Sequence, residues 1–291
     1  MSGLTTRDFG TDTTNTWCPG CGNFGILTTM KQAIVELGLK REEIVSVTGI
    51  GCHGKFTNYI KTNGIHVIHG RVLPVATGIK LANHELTVIG YAGDGDAFGI
   101  GIGHFPHAAR RNVDIKYVIH NNLIYGLTTG QMSPTTKHGH LTKTSPRGVW
   151  ETAINPIAEA LGANATFVAR GFAGDPRHLK ELIKAALNHR GFALLDVLQP
   201  CIAWNRVNTY EFYRERVYKL EEENHDISNF EKACEISNEW GERIPIGVFY
   251  QTSKPVYHEG FPILRKGALS RQVKRENIKD LVKEFSTLPS N

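Results

Sequence analysis

From Phe24 to Leu37, apolar side chains recur at Ile26, Leu27, Met30, Ala33, Ile34 and Leu37. Steps of three and four put them on one helical face, and Gly38 supplies a residue suited to ending the helix. The run "EIVSVT" that follows is short and apolar enough for a buried strand, and it ends at "GIGCHG". A second strand is predicted at "IHVIHG", ending at Gly70, and "PVATGIKLAN" reads as a helix with Pro74 at its start. "LTVIGY" is a third strand and runs into "AGDGDAFGIGIGH"; the stretch from Ala97 to Arg111 is rich in small residues but reads as helical. "DIKYVIH" is a fourth strand and runs into "NNLIYG". Residues 126–149 are polar and rich in Thr, Gly, Ser and Pro, a loop. Helix signals return at "NPIAEALG", with Asn155 as cap and Pro156 in the first turn, and again at "DPRHLKELIKAALNHRG". "ATFVARG" and "FALLDVLQPC" are two more strands.

Strands that alternate with helices and end in Gly-rich turns predict an α/β fold, an open, mostly parallel sheet with helices on both faces. No internal repeat interrupts it. From about Asn205 aromatic and charged residues rise and the alternation stops. The expected division is therefore a domain over residues 1–204 and a C-terminal arm over 205–291 that wraps the domain or a partner. The tail from about Lys266 is charged and reads as helical.

Composition narrows the class. The chain has 291 residues, 41% of them hydrophobic, enough for a large core. No apolar run approaches the ~20 residues that span a bilayer. The start, "MSGLTTRDFGTDTTNTW", has no basic region followed by an apolar one, so a cytoplasmic location is expected. In that compartment five cysteines point to metal binding or catalysis before disulfides. A net charge of +5 mildly favours anionic ligands or an acidic partner, but no basic stripe predicts nucleic-acid binding.

In such sheets ligands bind at the carboxyl ends of the strands. "GDGDAF" follows the third strand and "NNLIYG" the fourth, and Asn122 stands 28 positions after Asp94. The pair resembles the thiamine diphosphate motif, a Gly-Asp-Gly followed some 25–30 residues later by Asn-Asn. A diphosphate needs a divalent cation, and Mg²⁺ takes oxygen ligands. Asp94 offers a carboxylate, Asn122 an amide oxygen and Ile124 a backbone carbonyl. The N–H groups of Gly95, Asp96 and Ala97 open a helix and suit phosphate oxygens. A nicotinamide site is not favoured, because no G-x-G-x-x-G opens the first helix.

The stretch "NTWCPGCGNFGI" holds Cys18 and Cys21 with two residues between them. Cys52 in "GIGCHGKF" and Cys201 in "LQPCIAWN" also lie at strand ends. Parallel strands end on one edge, so all four can converge beside the diphosphate site. Cys234, in the helical "FEKACEISNEW", has no such context. By count, four thiolates suit tetrahedral Zn²⁺ or a [4Fe–4S] cluster equally. Structural zinc usually takes two close pairs in a short stretch. Here Cys52 follows Cys21 by 31 positions and Cys201 follows Cys52 by 149. A neighbouring thiamine site, whose cofactor becomes a good electron donor during turnover, favours the redox cluster.

Together "WCPGCGNFGI", "GIGCHGKF", "HGRVLPVATGIKLAN", "GDGDAFGIGIGHFPHAARRN", "NNLIYGLTTGQMSPT" and "QPC" resemble the β subunit of 2-oxoacid:ferredoxin oxidoreductases, over Trp17 to Cys201, with "IPIGVFYQ" extending the likeness. The "HFPHAARRN" and "GLTTGQ" forms look closest to 2-oxoglutarate or broad-specificity members, with pyruvate enzymes next. The resemblance implies a thiamine diphosphate-binding fold of the diphosphate type. It implies Cys18, Cys21, Cys52 and Cys201 as cluster ligands and Asp94, Asn122 and Ile124 as Mg²⁺ ligands. Ile50, Gly51, Cys52, His53, His69, Gly95, Asp96, Ala97, Gly126 and Leu127 would line the thiamine site. Lys55 would pair the substrate carboxylate, with Arg71 a weaker anion contact. His53 and His69 would donate to phosphate or act as acid–base groups; His138 and His140 read as loop residues.

Thiamine chemistry also needs a carboxylate that polarises the aminopyrimidine, and nothing in this chain reads as the domain that carries it. The family supplies that glutamate from an α subunit, which is expected to carry the coenzyme A site too, in a dimer of αβ pairs. The implied reaction is coenzyme A-dependent oxidative decarboxylation of a 2-oxoacid with electrons passing to ferredoxin, or its reverse, reductive carboxylation. Two alternatives stand beside it: a non-redox thiamine decarboxylase subunit with structural zinc, separated by iron analysis, and an electron-transfer subunit with a vestigial thiamine site, separated by bound cofactor.

Overall fold

Short apolar strands fully covered on both faces build the centre of the sheet. A computed structural model of the protein describes residues 3–272 together with 279, 282 and 283. Its strands are β1 (Ile44–Thr48), β2 (Asn63–His66), β3 (Thr87–Gly93), β4 (Lys116–Asn121), β5 (Phe167–Phe172), β6 (Ala193–Leu198), β7 (Val217–Lys219) and β8 (Ile244–Gln251). They form one sheet in the order β2-β1-β3-β4-β6-β5-β8-β7. Pairing is parallel from β2 through β5, in agreement with the expected class. In β1, β4, β5 and β6 every residue is buried, which is why these strands read as continuous apolar runs rather than alternating ones.

Helices cover both faces. On one side α1 (Asn23–Glu36) and α7 (Pro176–Asn188) pack through Ile26, Met30, Ala33 and Ile34 against Leu179, Leu182 and Ile183, and the short α2 (Phe56–Tyr59) adds Phe56 and Tyr59 to the same core. On the other, α3 (Val72–Ala82), α5 (Phe105–Arg110) and α6 (Pro156–Gly162) bury Val72, Phe105 and Ile157 in a second core. Asn155 and Asp175 cap α6 and α7 through their side chains, as the Asn-Pro and Asp-Pro signatures predict. Gly38 lies just past α1 at φ +67°, the left-handed stop expected of it.

Three elements differ from the sequence reading. β2 lies at Asn63–His66, not 65–70, because it is an exposed edge strand and Gly70 is drawn inward: at φ +72° its N–H donates to Asp96. The helix read from Ala97 to Arg111 is broken into α4 (Asp94–Phe98), a 3₁₀ turn at Ile100–His104, and α5. Close packing causes the break: a Cβ on Gly99 would stand 2.5 Å from the Gly95 carbonyl oxygen, and one on Gly101 2.5 Å from that of Asp96. Helix α3 starts at Val72, so Pro74 sits in the first turn, where a missing N–H leaves nothing unpaired.

Beyond Asn205 the chain does more than wrap. β8 pairs antiparallel with β5 and carries β7 beside it, so this segment completes the sheet. α8 (Tyr210–Arg214), in the "YEFYRERVYKL" segment, buries Tyr213 against Phe172, Leu198 and Ile246 of its own domain. Cys234 is half-buried on α9 (Phe230–Ser237), against the same core as α6. The helix expected from Lys266 meets 3₁₀ turns at Leu264–Lys266 and Leu269–Arg271; farther on, Lys279, Val282 and Lys283 are helical, and the remaining positions lie outside the described residues.

Candidate functional site

At the carboxyl edge of the sheet, the turns after β1, β2, β3 and β4 enclose a cavity of about 440 Å³. Its walls come from Ile50–His53, His69, Gly93–Asp96, His120, Asn122 and Ile124–Thr128. Glycine is required where turns meet. A Cβ on Gly95 would lie 2.1 Å from the Tyr125 ring, and one on Gly49 2.0 Å from an Asp96 carboxylate oxygen. The Tyr125 hydroxyl then donates to the Gly95 carbonyl at 3.0 Å, locking the Gly-Asp-Gly turn to the loop after β4.

Asp94 begins α4 and is almost fully buried. Its Oδ2 accepts from the hydroxyls of Ser133 and Thr135 at 2.5 and 2.7 Å, and its Oδ1 from the Asn122 N–H at 3.4 Å. Burial pushes its carboxyl above the ordinary carboxylate range despite these donors. The Asn122 amide oxygen accepts from Ile124 N–H at 3.1 Å, and its Nδ2 donates to Gln199. A carboxylate and an amide oxygen thus stand together at the cavity wall, and among the described residues no cationic side chain pairs with the Asp94 carboxylate. The donor set is all oxygen and suits Mg²⁺, which would offset the penalty of the buried carboxylate.

Asp96 is equally buried and differently used. Its Oδ1 accepts from the N–H groups of Ile50 and Gly70 at 3.1 and 2.8 Å and faces His69 Nδ1 at 3.0 Å. Its Oδ2 faces His53 Nε2 at 3.6 Å, an ion-pair separation, longer than a hydrogen bond. Burial pushes this carboxyl up, but the contact with His53 and the two backbone N–H groups outweigh it and hold the group below its usual range. Deeper, His120 Nδ1 meets Asn23 Oδ1 at 2.7 Å, and burial holds that ring well below the ordinary imidazole range.

A second cavity, of about 200 Å³, adjoins the first and is lined by Cys18, Cys21, Cys52 and Cys201 with Thr16, Trp17, Lys55 and Trp204. The backbone draws its segments together: Gly22 N–H donates to the Pro200 carbonyl at 3.2 Å, and the Trp17 indole to that of Cys52 at 2.7 Å. Opposite them Gly126 leaves room, since a Cβ there would stand 3.5 and 3.9 Å from the sulfurs of Cys201 and Cys52. Burial, with the neighbouring thiols of Cys52, Cys201 and Cys18, pushes the Cys21 thiol up to about 12. Burial also raises Cys52, against the opposing pull of Lys55. Two buried thiols held in their neutral form suit a group that brings its own positive charge. Among the described residues no three His, Cys, Asp or Glu side chains are grouped to hold a single metal ion. The four cysteines line the second cavity.

The family model described as "Thiamine pyrophosphate enzyme, C-terminal TPP binding domain" matches residues 49–197, the stretch that builds the first cavity. A second family model, for the carboxy-terminal part of the pyruvate ferredoxin oxidoreductase beta subunit, matches residues 201–266. The chain is 52% identical over 261 residues to a 2-oxoacid:ferredoxin oxidoreductase subunit β of Sulfolobus sp., covering 84% of this chain and 85% of that one. The chain belongs to the β-subunit family of 2-oxoacid:ferredoxin oxidoreductases. It is also 40% identical over 233 residues to a 2-oxoglutarate synthase subunit of Archaeoglobus fulgidus, covering 80% of this chain and 83% of that one. A solved 2-oxoglutarate:ferredoxin oxidoreductase from Magnetococcus marinus, with 2-oxoglutarate, coenzyme A and succinyl-CoA bound, matches 99% of this chain and 98% of its own with a TM-score of 0.90 at 37% identity.

Within this family member, the cavity collects Ile50, Gly51, Cys52, His53, His69, Asp94, Gly95, Asp96, Asn122, Ile124, Gly126 and Leu127, all named from the sequence. Ala97 is placed elsewhere: its side chain is in the core beneath α3 and is not among the lining residues. Lys55 lines the cysteine cavity, and its ammonium donates to Thr16 Oγ1 at 2.8 Å. Arg71 donates to the Gly70 carbonyl, and His138 meets the Trp150 carbonyl. Ser133, Thr135, Gln199, Tyr125 and His120 were missed. Ser133 and Thr135 lie in "GQMSPT", and a polar loop carries no sign of which hydroxyl folds back on Asp94. No helix among the described residues is long and apolar enough to cross a membrane.

Proposed function

We propose that this β subunit works with an α subunit, as a dimer of αβ pairs, in the coenzyme A-dependent oxidative decarboxylation of a 2-oxoacid, with ferredoxin as electron acceptor. The favoured substrate is 2-oxoglutarate, with pyruvate next; reductive carboxylation is the same chemistry reversed. The observation that carries the reading is a shared wall: Cys52, Asn122, Gly126, Leu127 and Gln199 line both cavities. Such a wall suits an electron donor on one side and an acceptor on the other.

When bound, thiamine diphosphate supplies the carbon centre at which a 2-oxoacid loses CO₂, and a [4Fe–4S] cluster supplies the one-electron acceptor. The chain's own residues hold and orient. Asp94, Asn122 and the Ile124 carbonyl would take Mg²⁺ against the diphosphate. Cys18, Cys21, Cys52 and Cys201 would ligate the cluster. Lys55, beside the shared wall, offers the ammonium for a substrate carboxylate. The carboxylate that polarises the pyrimidine and the coenzyme A site are assigned to the α subunit. A cytoplasmic enzyme facing an acidic ferredoxin is consistent with the +5 charge of this chain. The 2-oxoglutarate, coenzyme A and succinyl-CoA bound to the Magnetococcus relative support the substrate choice.

The test is anaerobic expression with and without the α subunit, followed by assays of iron, sulfide, zinc, thiamine diphosphate and 2-oxoacid-dependent viologen reduction. The pair is expected to hold about four irons per β chain, to turn over only with coenzyme A, and to prefer 2-oxoglutarate. Zinc without iron, or full turnover by the isolated chain, would overturn the reading.

A further inference from the structure

We propose that Asp96 is a positioning residue that sets the ring protonation of two histidines in the larger cavity, His53 and His69, and sets them oppositely. The Asp96 carboxylate is 2% exposed and accepts only, so every nitrogen that faces it in contact has to bring a hydrogen. Two backbone N–H groups, from Ile50 and Gly70, already fix Oδ1 in place. His69 reaches the same oxygen through Nδ1, so that nitrogen carries the proton and Nε2 is bare in the neutral ring. His53 approaches Oδ2 through Nε2, and neither of these two atoms has another hydrogen-bond partner among the described residues. His53 therefore carries its proton on Nε2, and Nδ1 is the bare nitrogen. Its ring is held in a slot made by missing side chains: a Cβ on Gly51 or Gly93 would come within 2.8 or 2.9 Å of Nδ1.

One carboxylate thus joins the turns after β1, β2 and β3 and gives two rings on the same cavity opposite tautomers. The consequence is chemical. A neutral His69 offers the cavity an acceptor, which suits an amino or hydroxyl group of a ligand and not a phosphate oxygen. Only the identity of the ligand rests on the thiamine reading; the ring protonation rests on the contacts of Asp96.

The experiment is long-range proton–nitrogen correlation on the full-length chain with ¹⁵N-labelled histidine at pH 8, above the ordinary imidazole range. His53→Gln and His69→Gln assign the signals. Wild type is expected to show Nδ1–H for His69 and Nε2–H for His53. In Asp96→Asn, the Ile50 and Gly70 N–H groups keep the amide oxygen at the Oδ1 position, so the amide N–H₂ meets His53. The His53 proton then moves to Nδ1, while His69 is unchanged. Wild-type spectra with Nε2–H on His69 or Nδ1–H on His53 would overturn the proposal without any variant, as would an Asp96→Asn spectrum with His53 unmoved. Thiamine diphosphate and Mg²⁺ titrated into the αβ pair separate the two readings: failure to bind there sinks the cofactor assignment and leaves the histidine result standing.

Discussion

The two cavities share a wall, yet they are held in opposite ways. The larger is finished by the polypeptide: Asp94 receives Ser133 and Thr135 from 39 and 41 positions downstream, and Asp96 receives Gly70 and Ile50 from 26 and 46 positions upstream. Each carboxylate is buried and hydrogen-bonded, so the shape stands before any ligand arrives. The smaller cavity is brought together by the backbone, but among the described residues its thiols meet few donors. Cys21 has Gln199 Nε2 at 3.4 Å and the Asn23 N–H, and burial with its neighbours disfavours ionisation. The contrast teaches that the same sheet edge carries one site preorganised by protein hydrogen bonds and one whose order depends on what it binds.

The largest test of that contrast removes a cluster ligand. Cys52→Ser is expected to lose most of the iron and sulfide and to lower the melting temperature, whereas Cys234→Ser, on α9, retains both. Metal analysis with calorimetry of the paired enzyme checks it, and equal iron in the two variants would end the assignment. Next comes Asp94→Ala, which leaves Ser133 and Thr135 without their acceptor and takes away the charged Mg²⁺ ligand. Magnesium-dependent binding of thiamine diphosphate should weaken by about 100-fold or more, since loss of a charged hydrogen-bonded group costs about 1.5–3 kcal/mol before the metal ligand is counted. Titration calorimetry reads it, and the cysteine cavity should keep its iron.

A smaller effect probes the wall itself. Lys55 lines the cysteine cavity, so Lys55→Ala is expected to leave thiamine content unchanged and to lower kcat/KM for the 2-oxoacid by about tenfold, one charged hydrogen bond's worth. Loss of cofactor with normal saturation by substrate would move Lys55 to the diphosphate. The smallest is Tyr125→Phe, which removes only the bond to the Gly95 carbonyl. It should cost about 0.5–1.5 kcal/mol in chemical denaturation and leave iron content untouched.

The sequence by itself determined the parallel α/β sheet, the caps at Asn155 and Asp175, the Gly-Asp-Gly and Asn-Asn turns, and Cys52 and Cys201 at strand ends. These signals are local, because a buried strand, a helix cap or a glycine turn depends on a few neighbouring residues. Its reading of the chain after Asn205 as an arm fell short. β8 is an antiparallel strand reached through α9, and no short pattern states which strand it will pair with. Tertiary structure alone decided that Asp96 points its carboxylate between two histidines, that Ala97 turns into the core while Asp94, Gly95 and Asp96 line the cavity, and that Lys55 stands with the cysteines. The physical reason is that a buried polar group must be satisfied wherever donors arrive, and the donors to Asp94 and Asp96 come from turns that only the packed sheet edge brings within 3.5 Å.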